Sequence, residues 1–281
     1  MNEKLKVLVV LVNYGDEQLN YLEQVVGNLR NFKKYKVRII VNSNIELNID
    51  GIDETKIFTL ENYQLLPLTC RTTIWENRND YDIFIYGEND HLFKEYHIDN
   101  HLEYTKLLPN DRLSGLIQYE KNNRGVFYPG YHIDFDWEYD TVEVYGGRYF
   151  AHFKNLHQAS FILTRNQLKK VGTNLNFKEL KISTPLNVFQ RALRKLLFYS
   201  GRKVERLNKY SVKCKVNTDV FEFGGMKKLI CISEFEENLI HHLPNLYIDG
   251  SKGRNKLRST DERMQNALKR LMNEIPNNIK K

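Results

Sequence analysis

Cysteine is scarce in this sequence: Cys70, Cys214 and Cys231 are odd in number, stand far apart and include no CxxC spacing. That excludes a disulfide framework and a zinc site built on paired thiolates, and leaves three reduced, mostly buried bystanders. No apolar run approaches the roughly 18 residues that a membrane-spanning helix needs. The opening segment, MNEKLKVLVVLVNYG, lacks the basic head and small-residue cleavage site of a signal peptide. It therefore reads as a first strand, and the protein is expected in the cytoplasm. Neither GxGxxG nor GxxxxGKS/T occurs, which sets aside a Rossmann dehydrogenase and a P-loop NTPase. There is no internal repeat, and low complexity is confined to a basic, Asn-rich tail after residue 251.

What is present suits a folded core. The 281 residues are 41% apolar and 27% charged, ordinary values for a globular protein. The net charge of +7 is concentrated between Arg191 and Lys215 and beyond Lys252, whereas residues 76–140 lean acidic. Such an excess attracts polyanions: nucleic acid, anionic lipid or a nucleoside diphosphate.

Residues 5–12 (LKVLVVLV) form a β-branched run suited to a strand buried on both faces of a parallel sheet. Asp16 opens a helix with Leu19, Leu22, Val25, Val26, Leu29 and Phe32 on one stripe. Strands follow at 36–42 and 56–60, then a helix from Pro67, a strand at 81–86 and a helix over 98–108. From 112 to 163 short aromatic-rich β segments alternate with Gly and Pro. Thr164-Arg-Asn-Gln167 has the form of a capping box opening a helix to Val171. A basic helix over 185–209 and a last strand at 238–242 complete the reading. The fold class is α/β: residues 1–110 are a nucleotide-binding half, 111–250 an acceptor-side half of the same domain, and 251–281 a basic tail, helical in part.

The sharpest signal is YDIFIYGENDHLF at residues 81–93. An apolar strand delivers Glu88, Asn89 and Asp90 to its carboxyl end, where ligands of open α/β sheets sit. Two carboxylates flanking one residue can share a hard cation, and such a cation can neutralise a departing diphosphate. An acidic turn after an edge strand is the competing explanation.

The strand, the Glu-Asn-Asp turn and the following apolar pair resemble the metal-binding signature of nucleotide-sugar-dependent glycosyltransferases of the GT-A fold, with Glu88 where Asp is usual. The resemblance implies a Rossmann-like α/β/α domain with a mostly parallel central sheet, joined to acceptor-side β and helical segments. It implies Glu88 and Asp90 as metal ligands, Glu88 and Asn89 as donor contacts, and Asn13 and Tyr14 near the nucleobase. Asn42 and Asn44 would stand where a ribose-contacting acid is common; turn chemistry explains each asparagine as well. His241 or His242 would complete the metal shell, and adjacent strand residues face opposite ways, so only one can do so. An imidazole ligand favours Mn²⁺ over Mg²⁺. Gln158 and Ala159 resemble the small-residue loop that lines a donor sugar. Asp219 and Glu222 are the base candidates for an inverting transfer, against the alternative of an acidic pair on one helix face. Arg71, on the helix after the third strand, could brace a phosphate or be a surface arginine.

The expected activity is metal-assisted hexosyl transfer from a nucleoside-diphosphate sugar, UDP favoured, to a hydroxyl of a glycan or lipid-linked acceptor. The basic stretch 185–209 places Leu186, Phe189, Leu193, Leu196 and Leu197 at helical spacing among Arg191, Arg194, Lys195, Arg202 and Lys203. It packs on the core or rests on an anionic membrane, which would put the protein peripherally at the inner face. A nucleic-acid-binding protein is a competing class, but Asp134, Asp136, Glu138, Asp140 and Glu143 interrupt the aromatic stretch and would repel a phosphate backbone, so no nucleic acid is expected. A nucleotidyltransferase would share the α/β half and the metal.

Overall fold

The apolar run at the start of the chain becomes the middle of a sheet. In the computed structural model, which describes residues 3–129, 135–181, 189, 192–193, 196, 210–248 and 258–275, β1 (Lys6–Asn13) is buried from Val7 onward. It pairs in parallel with β2 (Lys36–Ser43) and β4 (Ile83–Glu88). β3 (Glu54–Ile57) adds a parallel edge beyond β2, and β11 (Ser160–Thr164) an antiparallel one beside β4. The order is β11-β4-β1-β2-β3.

Alternation along β1 feeds two cores. Leu8, Val10 and Val12 meet α2 (Leu66–Glu76), α4 (Arg165–Asn174) and α5 (Val212–Phe223) through Cys70, Ile74, Leu168, Val171, Val216 and Val220. Val7, Val9 and Leu11 meet α1 (Leu19–Arg30) and α3 (Glu95–Leu107) through Leu22, Val25, Val26, Leu29 and Ile98. Each such aliphatic side chain contributes about 1.5–3 kcal/mol on burial. The expected α/β/α layering with a mostly parallel sheet is what forms.

Several boundaries moved for local reasons. β3 falls at Glu54–Ile57 because its register is set by Ile40–Ser43. α3 starts at Glu95, before Ile98, because the Lys94 backbone N–H donates to Nδ1 of His97 and closes the first turn. The capping box at Thr164 forms as expected, with Gln167 and Thr164 each accepting the other's backbone N–H, and α4 runs on to Asn174. β12 (Lys227–Cys231) had no clear sequence signal. Nor did the full extent of α5, which buries Asn217, Thr218 and Asp219 beside its apolar residues and so shows no clean stripe.

The aromatic-rich region gives β6 (Arg112–Ser114), β7 (Ile117–Asn122), β8 (Gly125–Pro129), β9 (Trp137–Tyr145) and β10 (Arg148–Phe153). They assemble with later strands into sheets β6-β12-β10-β9 and β14-β8-β7-β13-β5, where β5 is His91–Leu92, β13 Leu239–His242 and β14 Arg258–Thr260. Part of the stretch read as a basic tail belongs here. α6 (Asp261–Asn273) buries Met264, Ala267, Leu268 and Leu271 in a third core with Trp137, Ile230 and Phe235. The helix expected over 185–209 lies outside the described residues except for Phe189, Ala192, Leu193 and Leu196, which are helical and exposed. No described helix is long and apolar enough to cross a membrane.

Candidate functional site

Strand order reverses between β1 and β4, and at that switch point the carboxyl ends of parallel strands open a crevice. The register Val12↔Glu88 places Asn13-Tyr14 beside Asn89-Asp90. A cavity of about 480 Å³ lies there, walled by Tyr14 and Tyr63 on one side and by Glu88, Asp90, His242 and Tyr247 on the other.

Cross-strand register builds the acidic wall. β13 pairs with β5 so that His242 faces His91, and with β7 so that His241 faces Tyr119. One residue further along, His242 meets Glu120, with Nδ1 2.7 Å from Oε1. Its Nε2 lies 3.2 Å from Asp90 Oδ2. His241 points to the opposite face and stacks on Tyr119 at 4.8 Å, and its imidazole is lowered to about 4 by burial and the nearby Lys121.

Asp90 therefore sits between two imidazoles. Its Oδ1 is 2.7 Å from His91 Nδ1, yet both atoms are buried without a hydrogen-bond partner, while Gln118 donates to Nε2 of His91. Glu88, Asp90 and His91 offer ligand atoms within 4.8 Å of one another. Two carboxylates and an imidazole, with Asp90 Oδ1 lacking a hydrogen bond, fit a hard or borderline divalent cation.

The electrostatics follow from this crowding. Burial raises the Glu88 carboxyl, and the Asp90 charge raises it further. Burial would also raise Asp90, but His242 and His91 prevail and hold it far below the ordinary carboxylate range. Burial pulls His242 down, whereas Asp90 and Glu120 overcome it and raise the imidazole to about 10.

The opposite wall is held by amides. Asn89 donates to Asn13 Oδ1 at 2.8 Å, Asn13 donates to the Gly15 carbonyl at 2.9 Å, and Asn44 accepts the Gly15 N–H at 2.7 Å. Gly15 has φ +68°, a left-handed turn suited to glycine. These asparagines brace the first βα turn, with Asn13 wholly buried. Asn42 is likewise buried and donates to Thr69 and Thr73, away from the cavity. Tyr14 is exposed and meets Tyr63 at 5.3 Å.

Several expected residues do not reach the cavity. Arg71 is wholly buried, with Nη1 3.6 Å from Asp219, and donates to the carbonyls of Asn176 and Glu179, so it braces protein and no phosphate. Asp219 is buried in the same pair, and Glu222 is exposed; neither lines the cavity. Gln158 accepts the Leu116 N–H and is buried. Ala159 does not line the cavity either, but its backbone is left-handed at φ +49° and its carbonyl accepts the Glu88 N–H, a strained contact directly behind the acidic turn.

His91, Glu120, Lys213 and Tyr247 went unnoticed in the sequence. His91 directly follows Asp90 and could have been read with it, whereas nothing in β7 singles out Glu120.

No family model matches the chain, and no curated protein matches it. Solved structures do; one is the crystal structure of S. aureus TarS, at 11% identity and a TM-score of 0.35. The match covers 59% of this chain and 30% of that one, so the chain spans less than a third of TarS. The likeness assigns no function to the site.

Proposed function

We propose that the protein is a metal-assisted glycosyltransferase that moves a hexosyl group from a nucleoside-diphosphate sugar, UDP favoured, to a hydroxyl of a glycan or lipid-linked acceptor. The observation that carries this reading is the Glu88–Asp90–His91 cluster with His242, at the carboxyl ends of β1 and β4 and open to a cavity walled by paired tyrosines. Tyr14 and Tyr63 give a base an aromatic surface. Lys213, in the first turn of α5, brings positive charge to the cavity, where a diphosphate needs it. Glu88, Asp90 and His242 would hold the cation, and His91 would join them through Nδ1 once the Gln118 amide turns its oxygen to accept Nε2–H; the imidazoles favour Mn²⁺ over Mg²⁺. When bound, that cation supplies positive charge to the leaving diphosphate. For His242 to ligate, it gives up its Nε2 proton and keeps Nδ1–H on Glu120. The transfer is proposed to invert the anomeric carbon; neither Asp219 nor Glu222 lines the cavity as its base.

The test is a thermal-shift screen of UDP, GDP and CDP with and without Mn²⁺, followed by product analysis. A Mn²⁺-dependent rise with one nucleoside diphosphate, and release of that diphosphate from its sugar conjugate, is expected. Pyrophosphate release from a nucleoside triphosphate would instead identify nucleotidyl transfer.

A further inference from the structure

The imidazole of His242 has both nitrogens committed to carboxylates, and the two carboxylates differ in kind. Asp90 faces the cavity, whereas Glu120 is wholly buried and does not line it. Glu120 Oε1 is 2.7 Å from His242 Nδ1, and its Oε2 accepts the backbone N–H groups of Tyr247 at 3.1 Å and Ile248 at 3.0 Å. These N–H groups belong to the segment after β13, in which Leu246 and Tyr247 wall the cavity. The Tyr247 ring also lies on His242, with centroids 5.4 Å apart and planes 30° from parallel.

We propose that Glu120 is a positioning residue that acts through His242; the inference rests on the metal-binding reading above. An imidazole can ligate through Nε2 only if the remaining proton sits on Nδ1, and a buried carboxylate facing Nδ1 enforces that tautomer and fixes the ring plane. The backbone bonds of Glu120 fix the carboxylate itself. One buried side chain thus sets both the direction of the His242 lone pair and the place of the Tyr247 wall. Gln118 acts on His91 in the opposite sense: it donates to Nε2, so the neutral ring carries its proton on Nδ1, facing Asp90. Glu120 differs further in anchoring the cavity wall.

The experiment compares wild type, Glu120→Gln, His242→Ala and the double variant by calorimetric Mn²⁺ titration. Glu120→Gln should weaken Mn²⁺ about 10- to 100-fold. In the His242→Ala background it should cost nothing further, because a residue that acts through another is silent once the other is gone. Unchanged affinity in Glu120→Gln, or an additive loss in the double variant, overturns the proposal. Nitrogen-15 spectra of wild type with Zn²⁺, a diamagnetic stand-in, give a readout that does not depend on a variant folding. His242 should keep its Nδ1 proton and lose the one on Nε2; a metal-bound His242 protonated on Nε2 overturns the positioning role. Wild type that binds neither cation defeats the parent reading and this inference with it, a result distinct from a wild type that binds and a Glu120→Gln variant that binds equally well.

Discussion

Arg71 and Asp219 form an ion pair with no solvent exposure: Nη1 lies 3.6 Å from Oδ2, and the pair ties α2 to α5. Arg71 Nη2 adds bonds of 2.5 and 2.9 Å to the carbonyls of Asn176 and Glu179, and Asp219 accepts the Lys181 N–H at 2.9 Å. Breaking a buried pair strands a charge, which typically costs about 3–5 kcal/mol. Asp219→Ala should lower the urea midpoint accordingly, while Arg71→Met with Asp219→Leu recovers much of the loss. Wild-type stability in Asp219→Ala would contradict the pairing.

At the acidic turn, Asp90→Asn removes the anion that His242 and His91 both address. On the proposed function, metal-dependent transfer should fall on the order of 100-fold or more, since the cation held there would stabilise charge on the leaving group. His242→Ala should lose Mn²⁺-dependent nucleotide binding, and His241→Ala, altered on the other face, should keep it. Equal effects of the two histidine variants in a calorimetric titration would refute the assignment.

Lys228 is buried beside the Phe221 ring, with Nζ 3.5 Å from the Leu156 carbonyl, and burial lowers its ammonium to about 7. A lowered folded value means that the unfolded chain binds more protons between pH 7 and the ordinary lysine range, so this residue's contribution to stability rises with pH across that window. Below pH 7 the cost of burying the charge is constant, up to about 5 kcal/mol if the whole depression is realised. Lys228→Met should therefore be more stable than wild type at pH 7, and the gap should narrow towards pH 10. Melting temperatures of both proteins across that range check the sign; a gap that does not change with pH counts against it.

Phe189, Leu193 and Leu196 are 78%, 48% and 68% exposed, an apolar stripe at helical spacing within a strongly basic stretch of sequence. An anionic membrane matches both features, with each nearby Lys or Arg worth about 1 kcal/mol at the surface. Co-sedimentation with anionic vesicles, weakened by salt and by Arg191→Glu, Arg194→Glu and Lys195→Glu together, is expected. Failure to sediment at low salt rules out a peripheral membrane role.

Local sequence determined a great deal of this protein. Val7 to Val12 could only be a strand buried on both faces, Thr164 and Gln167 could close a capping box within four residues, and YDIFIYGEND had to end a strand in carboxylates. Those outcomes depend on neighbours a few positions apart. The site's completion does not. Asp90 and His242 are 152 positions apart, and Glu120 and His242 are 122 apart. Only the register of β7, β13 and β5 puts the three side chains on one face, and a slip of one residue would present His241 in place of His242. The same distance hid the partner of Arg71: charge on a helix looks like a solvated face or a ligand contact until packing brings Asp219 across from it. Sequence chose the residue types and the strand that carries the acidic turn; tertiary pairing chose which histidine faces the cavity, set Glu120 behind it and turned Arg71 away to Asp219, because side-chain direction across strands is set by registers that no local pattern encodes.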